Sequence, residues 1–279
     1  MKSFEGRVAA ITGAGSGIGR ALALALAARR CHLALSSNSN QKALAETARL
    51  AAEHGVKVSF DKVDVASRDQ VYAWAEKVVA EHGKVNLLVN NAGVAHAGTV
   101  AGSQIADYEW VMGINYWGVV YGTKAFLPHL VASGEGHIVN VSSVFGLFAQ
   151  PGMSAYNSSK FAVRGFTESL RQELDLAKNG VSATCVHPGG VKTNIAASGR
   201  FSDSVGDLTG SDGAAGSKQF EKLLRTTAEE AASQILTGVR KNARRLLIGV
   251  DARAADGLQR LLPGSYQKLV TSGLRLLKR

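Results

Sequence analysis

The sequence predicts an α/β fold: a doubly wound, seven-stranded parallel sheet with helices on both faces. Three observations carry the prediction. Short, continuously apolar runs alternate with longer helix-like segments, as strands covered on both faces require. The connections are short, so each helix returns the chain to begin the next parallel strand, and right-handed crossovers wind the sheet outward from its centre. A glycine-rich loop joins the first strand to the first helix.

The elements follow in order. "RVAAIT" (7–12) is the first strand, and the helix after the glycine loop runs to about Arg30. Its apolar run "ALALALAA" falls far short of the roughly 20 residues that cross a membrane and suits a buried helix. "HLALS" (32–36) is the second strand, leading to the helical "QKALAETARLAAEH", and "VKVSF" (56–60) is the third, leading to "RDQVYAWAEKVVAEH". "VNLLVN" (85–90) is the fourth, ahead of a loop and a long helix over about 107–131. "GHIVNVSS" (136–143) is the fifth, followed by a helix over about 154–177. "VSATCVH" (181–187) and "RRLLIG" (244–249) complete the set.

Two stretches break the alternation. Residues 196–218 are rich in Gly, Ser and Asp and fit either a disordered insertion or a mobile lid. Their position directly after a candidate cofactor loop favours a lid, spanning about 195–225. Beyond Gly249 the chain reads as two short helices broken at Pro263, the second amphipathic and basic. Packing on its own domain or on another subunit is favoured there over a membrane surface. The expected organisation is one dinucleotide-binding and catalytic domain over 1–250, with 251–279 as its helical extension.

Composition narrows the function classes. Apolar residues make up 46% of the 279, ample for a buried core. The net charge of +10 reads as a solvated basic surface, since no Lys/Arg run is interleaved with aromatics as nucleic-acid sites require. Cys31 and Cys185 lie apart in apolar segments without CxxC spacing, which argues against a disulfide framework or a zinc site. "MKSFEGRVAAITG" enters a strand at once without a signal-peptide pattern, so a soluble, cytoplasmic protein is expected, with no metal and no integral membrane association.

The motifs converge on one edge of the sheet. "TGAGSGIG" (12–19) has the strand–turn–helix context in which small residues let the backbone turn sharply and a helix N-terminus face a pyrophosphate. "YNSSK" sets Tyr156 and Lys160 four residues apart on one helix face. A phenol of pKa roughly 10 is a poor base at neutral pH, and an adjacent ammonium stabilises its anion. Tyr156 can then exchange a proton with a carbonyl or alcohol oxygen. Ser142 and Ser143 end the fifth strand, "NNAG" (90–93) the fourth, and "HPGGVKTN" (187–194) follows the sixth. All reach the edge where doubly wound sheets bind ligands.

With these motifs the chain resembles the short-chain dehydrogenase/reductase family over about residues 6–195, in the family's order and spacing. The resemblance implies a Rossmann-like fold and a cofactor loop of Thr12, Gly13, Ser16, Gly17, Ile18 and Gly19. It places Asp64 and Val65 at the adenine, and Asn90, Asn91, Ala92 and Gly93 along the adenosine ribose and central sheet. Pro188, Gly189, Val191 and Thr193 correspond to the loop that orients the nicotinamide. Ser143 corresponds to the catalytic serine, with Ser142 a structural neighbour, and Tyr156 to the proton donor and acceptor. Lys160 corresponds to the lysine that holds the nicotinamide ribose and tunes the tyrosine, and Asn115 to the asparagine that holds a relay water. His187 is read as structural. The implied reaction is hydride transfer between a nicotinamide and a substrate carbon, and the family usually pairs through the helices at 107–131 and 154–177.

The segment "SSNSN" (36–40) departs from the family pattern. NAD-using relatives commonly carry an aspartate about where Ser37 stands, and NADP-using relatives often an arginine nearby; here both are missing. Ser37, Asn38 and Ser39 can donate to a 2′-phosphate that no carboxylate repels, so NADP(H) is favoured, with NAD(H) the alternative. Val144, Phe145, Ala149 and Met153 are expected to wall the substrate pocket, which suits a fairly bulky apolar ketone or secondary alcohol. The leading reading is an NADP(H)-preferring oxidoreductase forming a homodimer or homotetramer. A non-catalytic nucleotide sensor is disfavoured because both Tyr156 and Lys160 are present. A carrier-linked ketoacyl reductase is disfavoured by the lid and the C-terminal extension.

Overall fold

A computed structural model describes residues 1–193, 195, 199–209 and 225–277. Along the chain run β1 (Val8–Thr12), α1 (Gly17–Ala27), β2 (His32–Ser37), α2 (Gln41–Ala52), β3 (Val58–Lys62), α3 (Arg68–His82), β4 (Leu87–Asn90) and β5 (His96–Ala97). There follow α4 (Ile105–Met112), α5 (Gly118–Ala132), β6 (Gly136–Val141), α6 (Ser154–Ala177), β7 (Val181–Pro188), β8 (Arg200–Phe201) and α7 (Ser204–Thr209). The chain closes with α8 (Ala228–Arg240), β9 (Arg245–Ile248), α9 (Val250–Leu261) and α10 (Tyr266–Leu277).

Seven strands form one parallel sheet in the order β3-β2-β1-β4-β6-β7-β9. The winding reverses between β1 and β4, whose adjacent ends open the crevice. Alternate residues of each strand face opposite layers. Ala9 and Ile11 of β1 pack with Leu22 and Leu26 of α1 and Ile235 of α8. Ala10 packs on the other face with Trp74 of α3 and Phe126 of α5, whose rings meet edge-on at 5.1 Å. Burying both faces accounts for the apolar runs of the central strands β1 and β4.

The third strand falls at 58–62 rather than 56–60, because Leu33 pairs with Val58 and leaves Val56 on the approach. The long helix expected over 107–131 spans Ile105–Ala132 but is interrupted by a π-helical turn at Gly113–Trp117. Residues 196–198 and 210–224 of the expected lid, and residue 194 just before it, lie outside the described residues. Its described part, 199–209, is tied down: β8 pairs in parallel with β5, His96 opposite Arg200 and Ala97 opposite Phe201. The C-terminal helical extension is present as α9 and α10, broken at Pro263. Among the described residues, no helix is long and apolar enough to cross a membrane.

Candidate active site

The glycine loop is shaped by close approach. Gly13 (φ +66°) and Gly17 (φ +52°) occupy the left-handed region that suits residues without a Cβ. A Cβ at Gly13 would meet the Ala92 Cα at 2.9 Å, and one at Gly19 would run into the Gly13 carbonyl. Thr12 Oγ1 accepts from the backbone N–H groups of Asn91 and Ala92, both at 3.0 Å, and Asn91 Nδ2 donates to the Thr12 carbonyl at 3.0 Å. These bonds stitch β1 to β4 below the crevice. Ser16, at the start of α1, makes no side-chain cap, which leaves helix N–H groups to face an anion. Ile18 is half-buried against the core. The cradle and the uncapped helix end fit the pyrophosphate of a dinucleotide.

Around it stand the other sequence-predicted cofactor residues. Asp64 Oδ1 accepts from the Ala66 N–H at 3.0 Å, and Val65 is buried against Gly118. Asn90 is a hub under the sheet edge, donating to Asn140 Oδ1 at 2.8 Å and to Thr123 Oγ1 at 3.2 Å. A Cβ at Gly17 would come within 3.0 Å of Thr193 Cγ2, so the loop after β7 reaches the glycine loop. Val191 bridges to Thr226. Gly189 donates to the Ile248 carbonyl at 2.9 Å, and the Gly190 N–H donates to the Asp251 carboxylate. A Cβ at Gly189 would collide with that carboxylate, so Asp251 holds the Pro188–Gly190 turn in shape. Sequence reading missed Asp251, because its partner lies 61 positions away.

At the end of β2, Ser37 Oγ lies 3.7 Å from where a Cβ at Gly15 would stand, so β2 ends against the glycine loop. Asn38 and Ser39 are exposed. Asn40 is committed to capping α2, accepting from the Ala43 N–H at 2.9 Å, and Gln41 Nε2 donates to the Ser37 carbonyl at 2.8 Å.

The Tyr156–Lys160 pair is buried on α6. Lys160 Nζ donates to the Val141 carbonyl at 3.1 Å and lies 5.6 Å from the Tyr156 ring centroid. Burial pushes the phenol up to about 12, with hydrogen bonding to Ser143 acting the other way, and pushes the ammonium down to about 8. Ser143 opens a short 3-10 turn, its Oγ accepting from the Phe145 N–H at 3.1 Å. Ser142 Oγ instead donates to the Lys160 carbonyl at 2.7 Å, which makes it part of the scaffold. Asn115, inside the π-helical turn, accepts from Val94 N–H at 2.8 Å and donates to the Val94 carbonyl and Ser159 Oγ, both at 3.0 Å. A single π-turn of this kind re-aims one side chain without ending the helix. A Cβ at Gly93 would sit 3.4 Å from Lys160 Nζ and 3.2 Å from Asn115 Oδ1, so that glycine leaves room for both.

Next to Tyr156, Val144, Phe145 and Ala252 form a buried apolar cluster fringed by Phe148 and Met153. Ala149 lies beside it, its N–H donating to the Tyr266 hydroxyl at 3.1 Å. Among the described residues, no three His, Cys, Asp or Glu side chains are grouped to hold a metal ion.

The short chain dehydrogenase family model matches residues 7–202. The chain belongs to the short-chain dehydrogenase/reductase family. This short-chain dehydrogenase/reductase is 51% identical over 275 residues to "Putative oxidoreductase SadH" of Mycobacterium tuberculosis, covering 98% of this chain and 97% of that one. It is 37% identical over 195 residues to estradiol 17-beta-dehydrogenase 11 of Homo sapiens, covering 70% of this chain and 65% of that one. A short chain dehydrogenase/reductase of Burkholderia phymatum, solved in complex with NAD, superposes with a TM-score of 0.85 at 32% identity, over 96% of this chain and 97% of that one. The family assignment makes the protein an oxidoreductase.

Proposed function

We propose that this oxidoreductase interconverts a fairly bulky apolar ketone and its secondary alcohol with NADP(H), and that Tyr156 is the general acid and base. The observation that carries the reading is the buried Tyr156–Lys160 pair, set beside Ser143 and flanked by an apolar cluster at the crevice edge. When bound, the nicotinamide supplies or accepts the hydride at the substrate carbon. Ser143 Oγ orients the substrate oxygen. Tyr156 gives that oxygen its proton in reduction and removes it in oxidation. Lys160, protonated below about 8, stabilises the phenolate left behind. Asn115 ties the loop after β4 to α6 with its side chain and, as in the family, would hold a relay water.

NADP(H) is favoured because no carboxylate stands at the end of β2, where Ser37, Asn38 and Ser39 offer donors. NAD(H) is the second reading, supported by the NAD complex of the Burkholderia phymatum relative. Residues 1–250 act as one catalytic domain extended by 251–279. The assembly is a dimer or tetramer through α4–α5 and α6, where Trp117 and Phe161 are exposed. Fluorescence titration with NADPH and NADH at matched ionic strength, followed by turnover of short and aryl ketones, tests the reading. Tighter NADH binding overturns the cofactor choice, and absent turnover overturns the activity.

A further inference from the structure

We propose that Tyr266, on the C-terminal helix α10, is a specificity-determining residue that holds the far wall of the substrate site and sets its preference for bulky apolar carbonyls and alcohols. The inference deepens the function proposed above and rests on it.

Tyr266 differs from its surroundings. Ser265, Gln267, Lys268 and Leu269 are exposed, whereas Tyr266 is only 6% exposed. Its hydroxyl accepts from the Ala149 N–H at 3.1 Å. A buried tyrosine whose hydroxyl finds a partner is a strong anchor, because the ring supplies the area and the oxygen the register. The ring stands edge-on to Phe148 at 6.1 Å, Phe148 is tilted against Phe145 at 5.4 Å, and Phe145 stands edge-on to Tyr156 at 6.3 Å. Three ring contacts thus lead from the C-terminal helix to the reacting phenol.

The loop that Tyr266 grips is held from another direction as well. A Cβ at Gly152 would meet Leu208 Cδ1 of α7 at 3.3 Å, and α7 packs against α10. Phe148 and Met153, both half-buried at the fringe of the apolar cluster, are the surfaces that a substrate meets beyond Tyr156. A small ketone needs only Ser143 and Tyr156. A large one also needs Phe148 and Met153 where Tyr266 keeps them.

The test compares wild type, Tyr266→Ala and Tyr266→Phe on a short dialkyl ketone and an aryl ketone, with NADPH and NADH binding measured alongside. Tyr266→Ala is expected to raise KM for the aryl ketone about tenfold or more, leaving KM for the short ketone within about twofold and cofactor Kd unchanged. Tyr266→Phe, which keeps the ring and loses the hydroxyl, is expected to shift the same ratio by about threefold. Equal changes for both ketones, or none, overturn the inference while the proposed activity stands. If Tyr266→Ala loses cofactor binding and with it the fold, Tyr266→Phe decides by the same ratio. Wild type that prefers the short ketone overturns the inference, and wild type that turns over neither ketone overturns the activity and the inference together.

Discussion

His187 Nδ1 lies 3.0 Å from the main-chain carbonyl oxygen of Ser143, and both residues are buried. A carbonyl only accepts, so Nδ1 carries the proton and the neutral ring props the residue that would orient the substrate oxygen. Burial pushes the imidazole down to about 4, with the Ser143 carbonyl acting the other way, so the ring stays neutral across the working pH range. His187→Leu is expected to lower kcat about tenfold with cofactor Kd unchanged, because the unpaired carbonyl costs about 1–3 kcal/mol or moves to find a partner. His187→Asn, which keeps a donor, is expected to recover part of the loss. Steady-state kinetics with parallel cofactor titration decide; an undisturbed kcat in both variants removes the prop.

Acid stability follows from the same burial. His137 is pushed down to about 3 and His187 to about 4, from 6.5 in each case. Between the folded and unfolded values the unfolded chain binds more protons, so stability is fully present above pH 6.5 and is lost as pH falls below it. For His187 alone the loss by pH 4 is on the order of 3 kcal/mol. Urea unfolding between pH 7 and 4 should show the decline, with a shallower slope in His137→Gln. A flat profile would mean that neither ring is buried neutral.

Tyr156→Phe keeps the ring packed against Phe145 and removes only the proton carrier. A loss of about 10²–10⁴ in kcat is expected, with cofactor binding unchanged. Retained turnover would move the proton to another group.

The direction of reaction should respond to pH. Oxidation needs the phenolate, and a phenol held at about 12 beside an ammonium at about 8 supplies more of it as pH rises. Reduction needs the protonated phenol, which is present throughout neutral pH. Oxidation rates are expected to climb from pH 7 to about 8 and then level off as Lys160 loses its proton, while reduction does not climb, read from initial rates in each direction. Parallel profiles would count against Tyr156.

Ser37→Asp places a carboxylate at the end of β2, where it repels a 2′-phosphate and accepts from ribose hydroxyls. The ratio of NADPH to NADH affinity is expected to shift toward NADH by about tenfold or more. An unchanged ratio in equilibrium titrations would place the ribose elsewhere.

Much of this molecule is written locally. The central strands are legible as largely apolar runs because both their faces are buried, and the helices as the segments between strands. Tyr156 and Lys160 are legible because four residues on a helix make one face, and the glycine loop because its conformation and close contacts tolerate no side chain. Each signal lies within a few neighbouring residues, where backbone sterics and periodicity act.

What escaped is non-local. No pattern near Asn115 announces a π-helical turn, which accompanies bonds to Val94 and Ser159. His187 reaches Ser143 across 44 positions, Asp251 reaches Gly190 across 61, and Tyr266 reaches Ala149 across 117. Hydrogen bonds and ring contacts between distant segments leave no periodic trace in either partner; only the packed chain brings the donor to its acceptor. Periodicity and glycine placement therefore settle the sheet and the family motifs, whereas folding settles which distant groups brace Ser143, the Pro188–Gly190 turn and the loop at Ala149.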